Sequence, residues 1–305
     1  MKNDLKGHLF AISTVIIWSS TFIVSKVLLE QLTPLQILFG RFMMAVLFLS
    51  IIYPKFEKPY NIREELLFFF IGCSLALYFY CENTALIYTY SSNVSLIDAT
   101  IPIMTGIIAS VYYGNKFLTK SNILGFIFAY SGVALIIISG NDIAGINPMG
   151  DFIALLGAFL FSIYTIILQK LKFQYHSIAL TRKIFLYGGI VLSILLILSK
   201  EQLSFDSINN QVIMSMIFLG IIASSLAFLM WNIAIERLGS VKANQYIYLV
   251  PVFTTIISMI VIHEKITFVK ILGAFLIITG LYISEKFSSK RNSILTELPS
   301  DKTAT

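Results

Sequence analysis

Residues 82–102 read ENTALIYTYSSNVSLIDATIP, and residues 231–251 read WNIAIERLGSVKANQYIYLVP. The two stretches share one spacing of asparagine, alanine and proline, although their other polar residues differ. The matching pairs, at shifts of 148 or 149 residues, are Asn83 and Asn232, Ala85 and Ala234, Pro102 and Pro251, Thr105 and Thr254, Gly125 and Gly273, and Gly132 and Gly280. Because proline and asparagine are uncommon in such apolar segments, this recurrence predicts an internal repeat.

The composition indicates a membrane protein. The chain is 57% hydrophobic and 12% charged over 305 residues, which is too apolar for a soluble globular domain of this length. A helix needs about 20 mostly apolar residues to cross the hydrocarbon core of a bilayer. Such segments are predicted at residues 8–28, 34–53, 66–86, 93–113, 120–140, 150–170, 182–199, 211–235, 243–262 and 268–285.

The basic residues are unevenly distributed between alternate loops. If the N-terminus is inside the cell, 17 of the 22 Lys and Arg residues fall on inner segments and 3 fall in outer loops. The other two, Lys26 and Arg41, lie within spans. The positive-inside rule therefore predicts a multi-pass protein of the cell membrane with both termini cytoplasmic. The net charge of +6 then reflects topology and indicates no nucleic-acid partner.

These observations combine into one predicted fold. The protein is expected to be an all-α integral membrane protein of ten transmembrane helices, arranged as two five-helix repeats at 1–140 and 150–285. Because five is odd, the second unit enters the membrane from the opposite side, so the repeats are inverted. Residues 286–305 are predicted to form a polar, mobile cytoplasmic tail. Inverted repeats are typical of secondary transporters.

The sequence lacks recognisable catalytic or metal-binding motifs. Cys73 and Cys81 lie in one predicted helix and the three histidines lie in different segments, so neither a disulfide framework nor a metal site is expected. The stretch GINPMGD at 145–151 has the glycine spacing of a phosphate-binding loop, but Asp151 stands where a lysine is needed. We therefore predict no enzymatic activity and no cofactor.

Charged residues inside predicted spans are the main functional candidates, because each is costly to bury in a membrane. Asp98 and Pro102 lie four residues apart on one helix face. The proline removes the hydrogen bond to the carbonyl of residue 98, which predicts an interrupted helix of the kind that transporters use for binding sites. The alternative is a structural kink with Asp98 in a salt bridge. Arg41 has a matching depth and is expected to pair with Asp98 or Glu82.

Other polar and aromatic side chains accompany these charges. Tyr78 and Glu82 share a helix face, and Glu82 is expected at a water-exposed rim, roughly 6 Å from the outer end of its span. Trp18 lies at mid-span beside Thr21, unlike an interface tryptophan, so it is expected to line a cavity. The second repeat offers amides, rings and hydroxyls without an acid, at Trp231, Asn232, Gln245, Tyr246 and Tyr248.

This chain resembles the drug/metabolite transporter superfamily, in its ten-span branch with two EamA-type repeats. The resemblance covers residues 7–285 and rests on WSSTF at 18–22, the repeated asparagines and prolines, and HEKITFVKILGAFLIITGLYI at 263–283. It implies a basket of ten helices, with a central cavity formed largely by spans 1, 3, 4, 6, 8 and 9, and export of amino acids or other small metabolites. The cavity positions that it implies are Trp18, Tyr78, Glu82, Asn83, Asp98, Trp231, Asn232, Gln245 and Tyr246. Asn115 departs from the pattern, because it replaces the acid that the second repeat has as Glu264.

The leading hypothesis is a secondary transporter that exports amino acids or related metabolites by alternating access. Thr21 and Tyr248 complete its predicted substrate site, Asp98 or secondarily Glu82 is the predicted proton-coupling site with Arg41 as counter-charge, and Pro102 and Pro251 are predicted hinges. One alternative is transport of an organic cation or amine, which would explain two acids beside many rings. The alternative from another class is a membrane scaffold that transports nothing and whose charges are purely structural.

Overall fold

The computed structural model of the protein describes residues 4–55, 61–89, 91–113, 120–138, 147–171, 175–201, 209–261 and 268–297. All regular secondary structure in these ranges is helical. The first half contains α1 Leu5–Leu28, α2 Pro34–Ile52, α3 Ile62–Tyr88, α4 Ser91–Asp98, α5 Ile101–Tyr113 and α6 Lys120–Ile138. The second half contains α7 Pro148–Lys170, α8 Ser177–Ser199, α9 Asn210–Ile217, a π-helical segment Phe218–Leu226, α10 Ala227–Leu238, α11 Ser240–Gln245, a 3-10 segment Tyr246–Leu249, α12 Val250–Val261 and α13 Phe268–Glu297.

Local capping signals fix several helix starts. The Thr33 hydroxyl accepts from the Gln36 N–H while the Gln36 side chain accepts from the Thr33 N–H, and Pro34 supplies the first helical residue of α2. Asn61 and Asn147 cap α3 and α7 through their side-chain oxygens. These starts are therefore determined within a few residues of sequence.

The interrupted helix predicted at Asp98–Pro102 is present. α4 ends at Asp98, and a turn at Ala99–Thr100 separates it from α5. The matching segment around Pro251 is also divided, into α11, the 3-10 segment and α12. The helical conformation of α13 continues to Glu297, beyond the boundary expected at residue 285. The acidic position Glu264 and its counterpart Asn115 lie outside the described residues.

The bundle has the surface of a membrane protein. Within the described ranges, six helical stretches are long and apolar enough to span a bilayer: Leu5–Leu28, Pro34–Ile52, Ile62–Tyr88, Pro148–Lys170, Ser177–Ser199 and Asn210–Leu238. Large apolar side chains are exposed around them, among them Ile51 at 79% and Ile197 at 75%. Such exposure is expected where lipid, rather than water, is the solvent.

The main core lies between α1, α2, α3, α7, α8 and α10 and is rich in aromatic rings. Contacts between helix ends show in which direction neighbouring helices run relative to each other. The start of α1 meets the end of α10, where Asp4 and Arg237 form an ion pair of 3.2 Å. The end of α3 meets the start of α7, where the Thr89 hydroxyl donates to Asp151 Oδ1 at 3.0 Å. The pairs α1–α10 and α3–α7 therefore run antiparallel, whereas α3 and α8 run parallel, since Glu65 near the start of α3 pairs with Lys183 near the start of α8.

Helices α6 and α13 pack closely against each other through glycines at the side of this core. A Cβ atom at Gly132 would overlap the carbonyl oxygen of Gly273, and one at Gly280 would overlap that of Gly125. Gly132 and Gly280 therefore stand where the close approach of the two backbones requires the missing side chain.

Candidate functional site

A small cavity lies inside the bundle, where α1, α2 and α3 face the two interrupted helices. Its volume is about 30 Å³, which leaves room for no more than a few water molecules. The cavity is therefore too small to hold an amino acid in this structure. The lining residues are Trp18, Thr21, Phe22, Arg41, Tyr78, Phe79, Glu82, Asp98, Ile101, Phe161, Phe228, Ile247 and Val250.

Arg41 reaches the cavity from α2 and is only 2% exposed. Its Nε donates a hydrogen bond to Ser224 Oγ, and its Cζ lies 4.0 Å from the centre of the Phe79 ring. Its Nη2 has no hydrogen-bond partner among the described residues. The guanidinium is thus anchored on one edge and unsatisfied on the other. Because an unpaired buried donor is costly, this edge suits an acceptor supplied by a ligand.

Two carboxylates line the same cavity and are nearly as buried, Glu82 at 7% and Asp98 at 5% exposure. The Tyr78 hydroxyl donates a long hydrogen bond of 3.5 Å to Asp98 Oδ2 and also interacts with Glu82. The water-exposed rim expected for Glu82 is therefore wrong. Helix α3 continues to Tyr88, so Glu82 lies deeper than expected, and its side chain turns toward the interior.

Within the described ranges, Arg41 lies beside the two acids but lacks the direct ion pair expected with Asp98 or Glu82. Arg41 and Glu82 attract each other, but in the described part of the chain Arg41 forms no salt bridge with Glu82 or Asp98. The guanidinium instead uses Ser224 and the Phe79 ring as partners. With both acids ionised, the three groups carry a net charge of −1. A site of low polarity disfavours such an excess, so a proton or a ligand would stabilise it.

Aromatic rings form the other walls of the cavity. The ring of Trp18 lies 4.8 Å from Phe228 and 5.9 Å from Phe161, and Tyr78 lies 4.8 Å from Phe161, measured between ring centres. Thr21 lines the cavity beside Trp18, and its hydroxyl donates to the Trp18 carbonyl at 2.8 Å. Packed rings of this kind can accommodate apolar groups or cations.

The π-helical segment places backbone acceptors and Ser224 next to these residues. Trp18 Nε1 donates to the Ala223 carbonyl of this segment at 3.2 Å, and the Thr14 hydroxyl donates to the Ala227 carbonyl at the start of α10 at 3.1 Å. π-helical turns are frequent at functional sites. Neither this segment nor Ser224 was predicted from the sequence. The only available signal was the serine pair at 224–225, the one polar step in an apolar run.

Three predicted site residues lie behind the cavity wall. Asn83 donates to the Phe79 carbonyl of its own helix at 2.9 Å. Trp231 is fully buried and its ring centre lies 4.9 Å from that of Trp18. Asn232 accepts from the Tyr164 hydroxyl at 2.6 Å and donates to the Thr181 hydroxyl at 2.9 Å. The structure therefore places these side chains in the supporting layer.

The last three predicted residues lie elsewhere. Gln245 and Tyr246 line a separate pocket of about 70 Å³ with His8, Lys242 and Leu281. The Tyr246 hydroxyl lies 2.5 Å from His8 Nδ1. Tyr248 points away from both pockets into a second apolar cluster with Ala99, Phe126 and Ile277. Residues 245–248 thus reach three environments: the separate pocket, the second apolar cluster and, through Ile247, the cavity.

Comparison with known proteins gives a consistent family match. The model of the EamA-like transporter family matches residues 5–138 and 148–285. An uncharacterized transporter of Archaeoglobus fulgidus is 26% identical over 286 residues, which cover 92% of this chain and 97% of that protein. A protein of Escherichia coli (strain K12) named "Probable amino-acid metabolite efflux pump" is 25% identical over 92% of this chain and 94% of its own length.

The fold is also similar to a solved structure. One crystal structure matches with a TM-score of 0.72 and covers 93% of this chain and 98% of its own, at 15% sequence identity. At that identity the likeness concerns the fold alone.

Proposed function

Because the chain belongs to the EamA-like transporter family, within the drug/metabolite transporter superfamily, we propose that it is a secondary active transporter that exports amino acids or related small metabolites. It is a multi-pass protein of the cell membrane. The observation that carries the proposal is the burial of Arg41, Glu82 and Asp98 around one cavity. Buried ionisable groups in a membrane protein mark substrate and ion pathways.

The proposed topology has ten spans and two cytoplasmic termini. The repeats are residues 1–140 and 150–285, related by inversion, with a cytoplasmic tail at 286–305. The excess of basic residues on one set of loops supports the orientation. The two stretches that match one family model support the duplication.

Alternating access is the proposed mechanism, because a cavity of about 30 Å³ is too small for a metabolite and must widen to bind one. The interrupted helices next to Pro102 and Pro251 are the proposed hinges. Each contributes cavity-lining residues beside its break, Asp98 and Ile101 in one and Ile247 and Val250 in the other. A small rotation at either break would therefore widen the cavity.

Asp98 is the proposed proton-coupling residue, with Glu82 as a secondary site. The two acids outnumber the single guanidinium, so one proton balances the charge of these three groups. Asp98 has Tyr78 as its hydroxyl partner, whereas Glu82 is the acid that Arg41 attracts. Because Arg41 stabilises the ionised form of Glu82, Asp98 is the carboxyl proposed to hold the proton.

An amino acid is the proposed solute, supported by the name of the Escherichia coli relative. The alternative solute is an organic cation or amine, favoured by the ring wall of Trp18, Phe161 and Phe228 next to two acids. A flux assay in proteoliposomes with amino acids in one set and amines in another separates the two candidates.

The proposed coupling has a direct test. Asp98→Asn should abolish the effect of an imposed pH gradient on amino-acid flux while leaving exchange of solute across the membrane, because the amide takes up no proton. The matched control is Asp151→Asn, which removes an acid that lies outside the cavity and contacts Thr89. Flux in Asp98→Asn that follows the pH gradient as in the unaltered protein would assign coupling to another group.

A further inference from the structure

We infer that the transported solute is a zwitterion whose carboxylate binds Arg41, whose ammonium group binds at Glu82 and Asp98, and whose apolar or aromatic remainder packs on the ring wall. This inference rests on the proposed transport function and assigns each part of the solute to a part of the cavity. Three features of the cavity carry it.

The first feature is the unsatisfied edge of Arg41. Nε is held by Ser224, whereas the buried Nη2 has no partner in the described part of the structure. A guanidinium forms two parallel hydrogen bonds with a carboxylate, and such charge-assisted bonds are among the strongest in proteins. An organic cation would leave Nη2 unpaired and would add a second positive charge beside it. The cavity therefore favours a solute with an anionic group.

The second feature is the separation of opposite charges. Arg41 lies near Glu82 and is attracted to it, yet it forms no salt bridge with either acid among the described residues. An ammonium group needs up to three acceptors, and the two carboxylates can provide them. A simple carboxylic acid would leave both acids without a cation. The cavity thus offers binding groups for both charges of one solute.

The third feature is charge balance. A zwitterion leaves the net charge of the cavity unchanged, whereas a monovalent cation raises it by one and a simple carboxylate lowers it by one. Among charged solutes, the zwitterion therefore adds no net charge to this buried site.

The ring wall determines which side chain of the solute the cavity prefers. Trp18, Phe161 and Phe228 adjoin the charged groups and present ring surface to the cavity. A polar side chain would be desolvated there without hydrogen-bond partners on these rings. We therefore expect an aromatic or branched aliphatic amino acid.

The test uses the full-length protein and compares amino acids with analogues that lack one of the two charged groups. Binding to the purified protein in lipid nanodiscs is measured for L-phenylalanine, phenethylamine, which lacks the carboxylate, and 3-phenylpropionate, which lacks the ammonium group. L-leucine with 3-methylbutylamine and 4-methylpentanoate repeats the comparison for an aliphatic side chain. In at least one of these series the amino acid should bind at least about tenfold more tightly than either half, since each lost charged hydrogen bond costs about 1.5–3 kcal/mol.

Two variants assign the charges. Arg41→Gln should weaken amino-acid binding at least about tenfold without weakening that of the amine, and Glu82→Gln should weaken amino-acid binding without weakening that of the acid analogue. Arg237→Gln is the matched control, because it removes a guanidinium that pairs with Asp4 outside the cavity. If Arg41→Gln does not fold, the comparison of solutes on the unaltered protein decides alone.

The outcomes separate this inference from the transport function. An amine that binds as tightly as its amino acid, or the failure of both amino acids to bind the folded protein, overturns the inference. If proteoliposomes carry phenethylamine but neither amino acid, the protein is a transporter and the inference is wrong. If the amino acid binds with the expected selectivity but no solute crosses the membrane, the site assignment holds and the transport function fails.

Discussion

At the scale of single residues, hydrogen-bond satisfaction separates groups that hold the fold from groups without a partner. The Tyr164 hydroxyl and the Asn232 amide satisfy each other at 2.6 Å in a fully buried position. Arg41 Nη2 and the Tyr248 hydroxyl are buried without a hydrogen-bond partner in the described ranges. Only Arg41 among these lines the cavity. Its unsatisfied group can therefore bind a ligand, whereas that of Tyr248 is enclosed by apolar side chains.

Replacing two buried tyrosines tests this distinction. Tyr164→Phe should lower the free energy of unfolding by about 1–3 kcal/mol, because it leaves the Asn232 oxygen without its donor. Tyr248→Phe removes a hydroxyl that has no partner and should be neutral or stabilising. The measurement is the unfolding midpoint of each purified variant in one detergent. Equal losses in the two variants would contradict the assignment of these hydrogen bonds.

At the scale of helices, the helix breaks are the places where the bundle can bend, and the close glycine contacts are places where it is rigid. α4 and α5 are separated at Ala99–Thr100, and the 3-10 segment Tyr246–Leu249 precedes α12. Both breaks border the cavity, whereas α6 and α13 are continuous and lie at its side. A continuous helix pair resists bending, while a break lacks part of the hydrogen-bond ladder. Movement is therefore expected at the breaks, with α6 and α13 acting as one unit.

The glycine contact between α6 and α13 has a sharp test. Gly132→Leu should destabilise the protein by about 1–3 kcal/mol, since its side chain would overlap the backbone at Gly273. Ser131→Leu is the control, because residue 131 is exposed and the same side chain would face lipid there. Thermal unfolding in detergent compares the two. If Ser131→Leu lowers the midpoint as much as Gly132→Leu, close packing at Gly132 is not the cause.

At the scale of the whole molecule, the small cavity and the two sets of helix ends define what must move. Asp4 and Arg237 join helix ends on one side of the bundle, and Thr89 and Asp151 join ends on the other. Under the proposed topology the first pair is cytoplasmic and the second is external. Opening toward either side then requires separation of one set of ends while the other stays closed.

Labelling of single cysteines tests the orientation. In a background with Cys73→Ser and Cys81→Ser, Lys200→Cys should react with a membrane-impermeant maleimide in intact cells, because residue 200 is exposed in a proposed outer loop. Arg237→Cys, exposed on the opposite side, should react only after permeabilisation. Labelling of Arg237→Cys in intact cells would reverse the proposed topology.

Much of the fold follows from local sequence. Long apolar runs dictate the helices because an unpaired backbone is not tolerated in lipid, and α1, α2 and α7 begin and end close to the predicted residues. The break after Asp98 is also local, since Pro102 removes a backbone donor. α13 extends past the predicted end of its membrane span at residue 285, because the helical conformation continues to Glu297.

The sequence alone therefore determined the membrane character, most helix boundaries, the two proline breaks and the presence of buried charges. Only the tertiary structure decided which faces of the helices meet. In the folded bundle Glu82 points inward, Arg41 contacts Ser224 and the Phe79 ring, and Tyr246 and Tyr248 lie in different environments. The physical reason is that a membrane helix is apolar on nearly every side. Its hydrophobic pattern then does not mark the inner face, which packing against neighbouring helices selects.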